Sequence, residues 1–227
     1  MEEREEVTIV YSDENLMVVN KPRGMIVEHG AGVSSGTLVD WLVQNGASPD
    51  LDRGGIVHRI DKNTAGLLVV AKDIKTQELL QQMIKNHDIE RLYFGLVEGV
   101  MHGNGVIDKN LVRSPRNRTL YVTCPKGQGR EAVTHWEVLE NFKKHTFVKF
   151  KLETGRTHQI RVHCKSIGRP LLGDPEYNAS SKMSRGIGQM LESVSLRFMH
   201  PITKKEIHVQ IESTELFKQQ LDKCKKM

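Results

Sequence analysis

Apolar and polar residues alternate over Val7-Thr8-Ile9-Val10-Tyr11, which predicts a strand. Ser12-Asp13-Glu14-Asn15 follows as a turn, and Leu16-Met17-Val18-Val19-Asn20 reads as its hairpin partner. Pro22 and Gly24 end that strand. The spacing then changes to helical over Thr37–Asn45, with Leu38, Trp41 and Leu42 on one side, Thr37 as cap and Gly46 as stop. Asp50 to Gly55 reads as loop and Leu67 to Ala71 as a buried strand. A second helix is expected over Ile74–Asn86, with Leu79, Leu80, Met83 and Ile84 on one face.

The second half carries more strand than helix. Arg91 to Val97 reads as strand, followed by a glycine-rich turn at Gly99, Gly103 and Gly105. Residues 111–130 are polar, basic and turn-rich. Strands follow at Ala132–Leu139 and Thr146–Leu152, whereas Gln159 to Cys164 fits helix or strand equally by pattern. Gly186 to Gly188 lies in a loop. Leu196–Met199 and Glu206–Ile211 pair as strands before a final amphipathic helix, Thr214–Lys225. Strands outnumber helices and short turns join many of them. The expected class is therefore α+β, with a mixed, mostly antiparallel central sheet flanked by helices and loops. With no internal repeat and no compositional break, a single catalytic domain over residues 1–227 is expected.

Composition narrows the choice of partner. The chain has 227 residues and a formal charge of +5, from 33 Lys+Arg against 28 Asp+Glu. The excess favours an acidic partner such as nucleic acid, although a solvated surface would also account for it. No apolar run is long enough to span a membrane, and the acidic start Met1-Glu2-Glu3-Arg4-Glu5-Glu6 does not resemble a secretion signal. Cys124, Cys164 and Cys224 are far apart and no CxxC occurs, so a reducing, cytoplasmic setting is expected.

Four segments look chemically loaded. They are Val18-Val19-Asn20-Lys21-Pro22-Arg23-Gly24-Met25; His58-Arg59-Ile60-Asp61-Lys62-Asn63-Thr64-Ala65-Gly66-Leu67-Leu68-Val69-Val70-Ala71-Lys72; Arg91-Leu92-Tyr93-Phe94-Gly95-Leu96-Val97-Glu98-Gly99; and Thr154-Gly155-Arg156-Thr157-His158-Gln159-Ile160-Arg161-Val162-His163 with Gly168-Arg169-Pro170-Leu171-Leu172-Gly173-Asp174. In this order, over about residues 16–200, they resemble the RluA-type pseudouridine synthases. The family pattern reads approximately HRLDxxTSGLLVxAK, KxYxAxVxG, GRTHQIRVH and GxPLLGDxxY. The resemblance implies the pseudouridine synthase-like catalytic fold and isomerisation of uridine to pseudouridine in structured RNA, ribosomal or transfer. It implies no cofactor and no metal, and no obligate protein partner is evident. Asp61 falls on the family's catalytic aspartate, Arg161 on its basic partner, and Tyr93 on the tyrosine that packs against the target base. Arg59 falls on an arginine that helps extrude the nucleotide. His58, Ile160 and Lys21 join Arg59 as expected substrate-binding positions.

The chain departs from that pattern in places. Ala65 stands for a usual serine, Ile60 for leucine, Arg91-Leu92 for Lys-x and Phe94-Gly95 for x-Ala. Glu192-Ser193 stands where a His-Ala pair is common. The first strand begins within a few residues of Met1, so no amino-terminal S4-type domain is expected.

The residue types suit the chemistry. The reaction breaks an N-glycosidic bond, turns the uracil and rejoins it through carbon. An ionised carboxylate can act as a nucleophile at sugar or base, or as a general base that removes a sugar proton. In a dry pocket its pKa would rise, and a guanidinium supplies the compensating charge. A tyrosine ring offers a flat face to the uracil, and its hydroxyl could relay the proton from carbon. An arginine can fill the gap left by a flipped base.

Plainer readings stand beside these. Asp61 before Lys62-Asn63 is also good turn chemistry. Tyr93 could be a packing residue, and Arg161, set between Ile160 and Val162, a buried arginine in need of a carboxylate. His158 and His163 are spaced wrongly for a shared metal, so a hydrogen-bonding role is the default; His58 is read as holding the Asp61 loop. Lys21 and Arg23 could contact RNA phosphate or position a loop. The basic stretch Arg113–Arg130 reads as an exposed loop or a phosphate-contacting arm. Two other functions remain open: an RNA-binding module or chaperone of the same fold without chemistry, and a carboxylate-dependent hydrolase, which needs a second acid.

Overall fold

The computed structural model describes residues 6–30, 32–48, 50–179 and 186–226. The expectations about residues 1–5 lie outside them. In chain order the elements are β1 (Thr8–Ser12), β2 (Leu16–Lys21), α1 (Leu38–Gln44), β3 (Ala65–Ala71), α2 (Ile74–Asn86), β4 (Glu90–Glu98), β5 (Asn104–Asp108), β6 (Asn110–Arg113), β7 (Tyr121–Cys124), β8 (Val133–Asn141), β9 (His145–Leu152), α3 (Gln159–Ser166), β10 (Leu191–Met199), β11 (Glu206–Gln210) and α4 (Glu215–Lys226). They form two compact units: the described residues of Met1–Arg91 with Ser193–Ile211, and of Leu92–Glu192 with Glu212–Met227. No helix among the described residues is long and apolar enough to cross a membrane.

In the first unit the strand order is β1-β2-β3-β10, with β11 beside β10. The β1/β2, β2/β3 and β10/β11 pairs are antiparallel. Every residue of β3 is buried, which is why Ala65-Gly66-Leu67-Leu68-Val69-Val70-Ala71 is an unbroken apolar run rather than an alternating one. Its Leu67 and Val69 pack with Leu16, Val18, Leu80, Leu196 and Phe198. Gly66 is required by close approach: at φ +117° a Cβ there would lie 2.1 Å from the Ser193 carbonyl oxygen. The predicted helices form where expected. In α1, Thr37 Oγ1 accepts from the Asp40 N–H at 3.2 Å, and Asp40 Oδ2 accepts from the Thr37 N–H at 2.8 Å, a reciprocal capping box. In α2 the fully buried residues are Thr76, Gln77 and Leu80, while Met83 and Ile84 reach the core only partly.

In the second unit the order is β4-β9-β8-β5, all antiparallel, with β6 and β7 forming a separate hairpin. Leu96, Leu172, Met190, Phe217 and Cys224 make its main core, so the amphipathic α4 is held by its apolar face. Antiparallel pairing predominates and the α+β class holds.

Several local expectations need correction. Asp50 to Gly55 is not all loop: Asp52–Gly55 makes a 3-10 turn, with Arg53 in the left-handed region at φ 49°. Gly105 belongs to β5 rather than to a turn, because Trp136 on β8 packs where its side chain would be, 2.7 Å from an added Cβ. The basic stretch 111–130 contains the β6/β7 hairpin. Gln159 to Cys164 is helical, and all six residues are buried, so no polar face marked a helical period. Strand β10 begins at Leu191, five residues before the expected start. Polar Glu192, Ser193 and Ser195 masked it, yet all three are buried and partnered. Glu192 accepts from the Thr214 hydroxyl and backbone N–H at 2.5 and 3.2 Å, and thereby docks the residue that caps α4. The Ser193 hydroxyl donates to the Leu67 carbonyl at 3.1 Å. The Glu192-Ser193 departure thus has a packing explanation.

Candidate active site

Asp61 sits half-buried on a tight turn that feeds directly into β3. The turn closes through its backbone, with the Thr64 N–H donating to the Asp61 carbonyl at 3.0 Å. A carboxylate placed there sits on a hydrogen-bonded turn four residues ahead of a buried strand.

Two buried polar residues fix this turn. Lys21 is fully buried at the end of β2, and its ammonium donates to the carbonyls of Pro22, Met25 and Lys62 at 2.9, 2.8 and 3.1 Å. The Lys62 carbonyl also accepts from the Gly24 N–H at 2.9 Å. Burial pushes the Lys21 pKa down to about 7, with Arg23 adding to the effect and the charge of Asp61 opposing it. The ammonium has a carbonyl acceptor for each of its three protons, so Lys21 positions the loop. Lys21→Met is expected to cost about 2–4 kcal/mol, because it strands buried carbonyls without a donor. Chemical denaturation would measure this, and a loss below about 0.5 kcal/mol would contradict it.

His58 is likewise buried. The Val69 N–H donates to its Nε2 at 3.1 Å, which ties the segment ahead of Asp61 to β3. It holds the loop, as the sequence reading of His58 expected. Burial, reinforced by the positive charge of Arg91, pushes its pKa down to about 3. The unfolded chain takes up this proton near the ordinary 6.5, the folded chain only near 3. Stability therefore falls as pH drops through that window, by on the order of 3 kcal/mol at about pH 4. In His58→Gln this part of the acid sensitivity should disappear. Identical pH–stability slopes for the two proteins would count against it.

Arg59 is exposed and ion-paired through Nη1 to Glu28 Oε1. Glu28 also takes Arg53 Nη1 at 3.1 Å, so one carboxylate orients two arginines. Glu28 carried no signal in the sequence, because its role depends on chain segments that only the fold brings together.

In the second unit Tyr93 lies on β4, buried and opposite Phe150 of β9. Ile160 and Arg161 are buried on α3. Arg161 makes a two-pronged pair with Asp174: Nε to Oδ2 at 2.7 Å and Nη2 to Oδ1 at 2.8 Å. Its Nη2 also donates to Glu176 at 2.5 Å. The Arg161 and Asp174 side chains are 4% and 0% exposed, so this is a fully desolvated pair. Asp174 Oδ1 further accepts from the backbone N–H groups of Glu176 and Tyr177, both at 3.0 Å. The buried arginine has the carboxylate it requires within its own unit, in a segment whose sequence alone assigned it no role.

The surroundings of α3 are equally specific. Gln159 donates to Val133 O and Thr134 Oγ1 and accepts from Thr154 Oγ1 and the Arg156 N–H, so its amide is saturated. His163 bonds Thr134 Oγ1 and Lys109 O, both at 2.9 Å. His158 precedes the helix in the left-handed region (φ 56°), which costs a residue with a Cβ about 1 kcal/mol. Its Nδ1 meets the Tyr177 hydroxyl at 3.0 Å. Both histidines are thus engaged in hydrogen bonding. Among the described residues there is no group of three or more His, Cys, Asp or Glu that could hold a metal ion.

Arg113, Arg116, Arg118, Lys126 and Arg130 are all exposed on and around the β6/β7 hairpin. Arg113 lies over the Tyr121 ring at 5.8 Å.

Comparison with known proteins bears on this arrangement. Ribosomal large subunit pseudouridine synthase D of Vibrio cholerae is 40% identical over 215 residues, covering 88% of this chain and 65% of the relative. The protein of the same name from Escherichia coli K12 is 39% identical over 212 residues, with 88% and 64% covered. The chain thus spans slightly less than two thirds of the length of these relatives. Human RNA Pseudouridylate Synthase Domain Containing 4 shares the fold, with a TM-score of 0.76, 23% identity, and 95% of this chain and 92% of that one covered. Human RNA Pseudouridylate Synthase Domain Containing 1 gives a TM-score of 0.74 at 25% identity, with 92% and 84% covered. The sequence model of the RNA pseudouridylate synthase family matches residues 15–166, which hold Lys21, His58, Arg59, Asp61, Tyr93, Ile160 and Arg161. The chain belongs to the RNA pseudouridylate synthase family.

Proposed function

We propose that this chain isomerises a uridine to pseudouridine in ribosomal RNA of the large subunit. The observation that carries the reading is Asp61, set on a backbone-closed turn at the head of a wholly buried strand and braced by Lys21 and His58, within a chain of this family. The names of the relatives supply the choice of ribosomal RNA. In this proposal Asp61 is the reacting carboxylate. Tyr93 faces the uracil, Arg161 is the ion partner of that carboxylate, and Arg59 takes the place of the flipped nucleotide. Lys21 and His58 act through the turn they hold. Both units serve one catalytic domain, and the reaction needs no cofactor.

The decisive experiment maps pseudouridine across total RNA from cells with and without this protein. One position that vanishes with the protein is the expected result; an unchanged map would end the proposal. A position in transfer RNA would keep the chemistry and move the substrate.

RNA phosphates supply much of the affinity in this reading, through the hairpin arginines. Removing one arginine–phosphate ion pair should flatten the plot of log K against log salt by about 0.7–0.9. Changing Arg113, Arg116 and Arg118 together to Gln is therefore expected to reduce the slope by about 2, measured by filter binding across a salt series. An unaltered slope would remove the hairpin from the RNA-binding surface.

A further inference from the structure

We propose that Tyr177 is a positioning residue that ties the basic β6/β7 hairpin to Arg161, so that the hairpin and the guanidinium keep one fixed relation. The inference builds on the RNA reading given above and adds to it a residue with no role in the chemistry itself.

Tyr177 is buried, and each part of it touches a different piece of the second unit. Its hydroxyl accepts from the Tyr121 backbone N–H on β7 at 3.0 Å. The same oxygen bonds His158 Nδ1 at 3.0 Å, at the residue that opens α3. Its ring lies under the Arg161 guanidinium, with Cζ 5.0 Å from the centroid. Its own N–H donates to Asp174 Oδ1, and the same oxygen accepts from Arg161 Nη2.

Directional bonds therefore run from the hairpin through one phenol to the start of α3, while the ring of that phenol supports the arginine. Apolar contacts among Leu111, Leu120, Ala132 and Val162, and an edge contact between the Tyr121 and His158 rings, also join hairpin and helix, and His163 of α3 bonds the Lys109 carbonyl just before β6. The apolar contacts tolerate sliding; the two hydroxyl bonds do not. The left-handed backbone of His158 fits this role. Its side chain makes no capping bond to the helix it precedes and reaches the phenol instead. The hairpin carries exposed arginines suited to RNA phosphates, so Tyr177 is placed to hold that binding arm in register with Arg161.

Tyr177→Phe tests this, because it keeps the ring beneath the guanidinium and removes only the hydroxyl bonds. Losing two such bonds is expected to speed trypsin cleavage of the free protein at Arg113, Arg116 and Arg118 about tenfold. It should also raise KM for the RNA about tenfold, while kcat falls less than about threefold. Tyr177→Leu removes the ring as well, and there kcat should fall at least about thirtyfold. Wild-type cleavage and KM in Tyr177→Phe would overturn the proposal. So would a kcat loss that follows the melting temperature while KM stays constant, since that marks a merely structural residue. A wild-type protein inert on every RNA would defeat the proposed function instead, and the cleavage comparison would still decide whether Tyr177 holds the hairpin.

Discussion

Asp61→Asn should lower pseudouridine formation by at least about ten-thousand-fold, as expected when the group that reacts is replaced by a near-isosteric neutral one. Fold and RNA affinity should survive. The turn is closed by the Asp61 backbone carbonyl and the Thr64 N–H, and asparagine preserves that bond. Asparagine also favours turns, so a purely structural Asp61 would tolerate the change. The braces from Lys21 and His58 act on neighbouring backbone and on β3, although the charge of Asp61 favours the protonated form of Lys21. The measurement is tritium release from RNA labelled at uracil carbon 5, because forming the new carbon–carbon link displaces that hydrogen. A parallel filter-binding titration should give affinity within about threefold of wild type, the range of a surface change. Release at the wild-type rate would remove Asp61 from the chemistry and leave a binding module. Free uracil as product would point instead to the hydrolase reading, which requires a second acid.

Arg161→Lys is the second large effect, and it acts on both stability and activity. The guanidinium meets Asp174 through two nearly parallel bonds, with both side chains almost wholly out of water. A lysine ammonium is a point charge that cannot fill both positions. It gives up one of the two charge-assisted bonds to a buried carboxylate, and breaking such a pair costs about 3–5 kcal/mol. For a chain of this length that lowers Tm by roughly 6–20 °C. The damage extends to the Asp174 turn, which orders the backbone of Glu176 and Tyr177. Activity should fall beyond the part explained by unfolding, because Arg161 also serves the proposed reaction. A thermal melt within about one degree of wild type would show that the pair contributes nothing net, a behaviour known for exposed ion pairs.

Much of the local structure was legible. The β1/β2 hairpin, α1 with its Thr37 cap, the α2 boundaries, and β8 and β9 follow from alternation, helical spacing and turn residues, which act over a few neighbouring positions. The misses share another cause. In β10, Glu192, Ser193 and Ser195 look like solvent residues until Thr214, Leu67 and His208 supply their partners. In α3, complete burial erased the polar face that would have marked a helix. The β6/β7 hairpin was hidden by its charged, turn-rich composition; its short strands rest on Tyr177 from far along the chain.

The order of chemical segments carried the resemblance to the family, and through it the expectation that Asp61, Tyr93, Arg161 and Arg59 belong to the site. Tertiary structure alone supplied the partners through which the buried polar residues act as braces. Lys21 became the anchor of the Asp61 turn only when Lys62, 41 residues away, brought its carbonyl within 3.1 Å. His58 became a tether through Val69, and Asp174 became the partner of Arg161. A desolvated charge or imidazole is defined by what surrounds it, and those surroundings come from distant parts of the chain that meet only on folding.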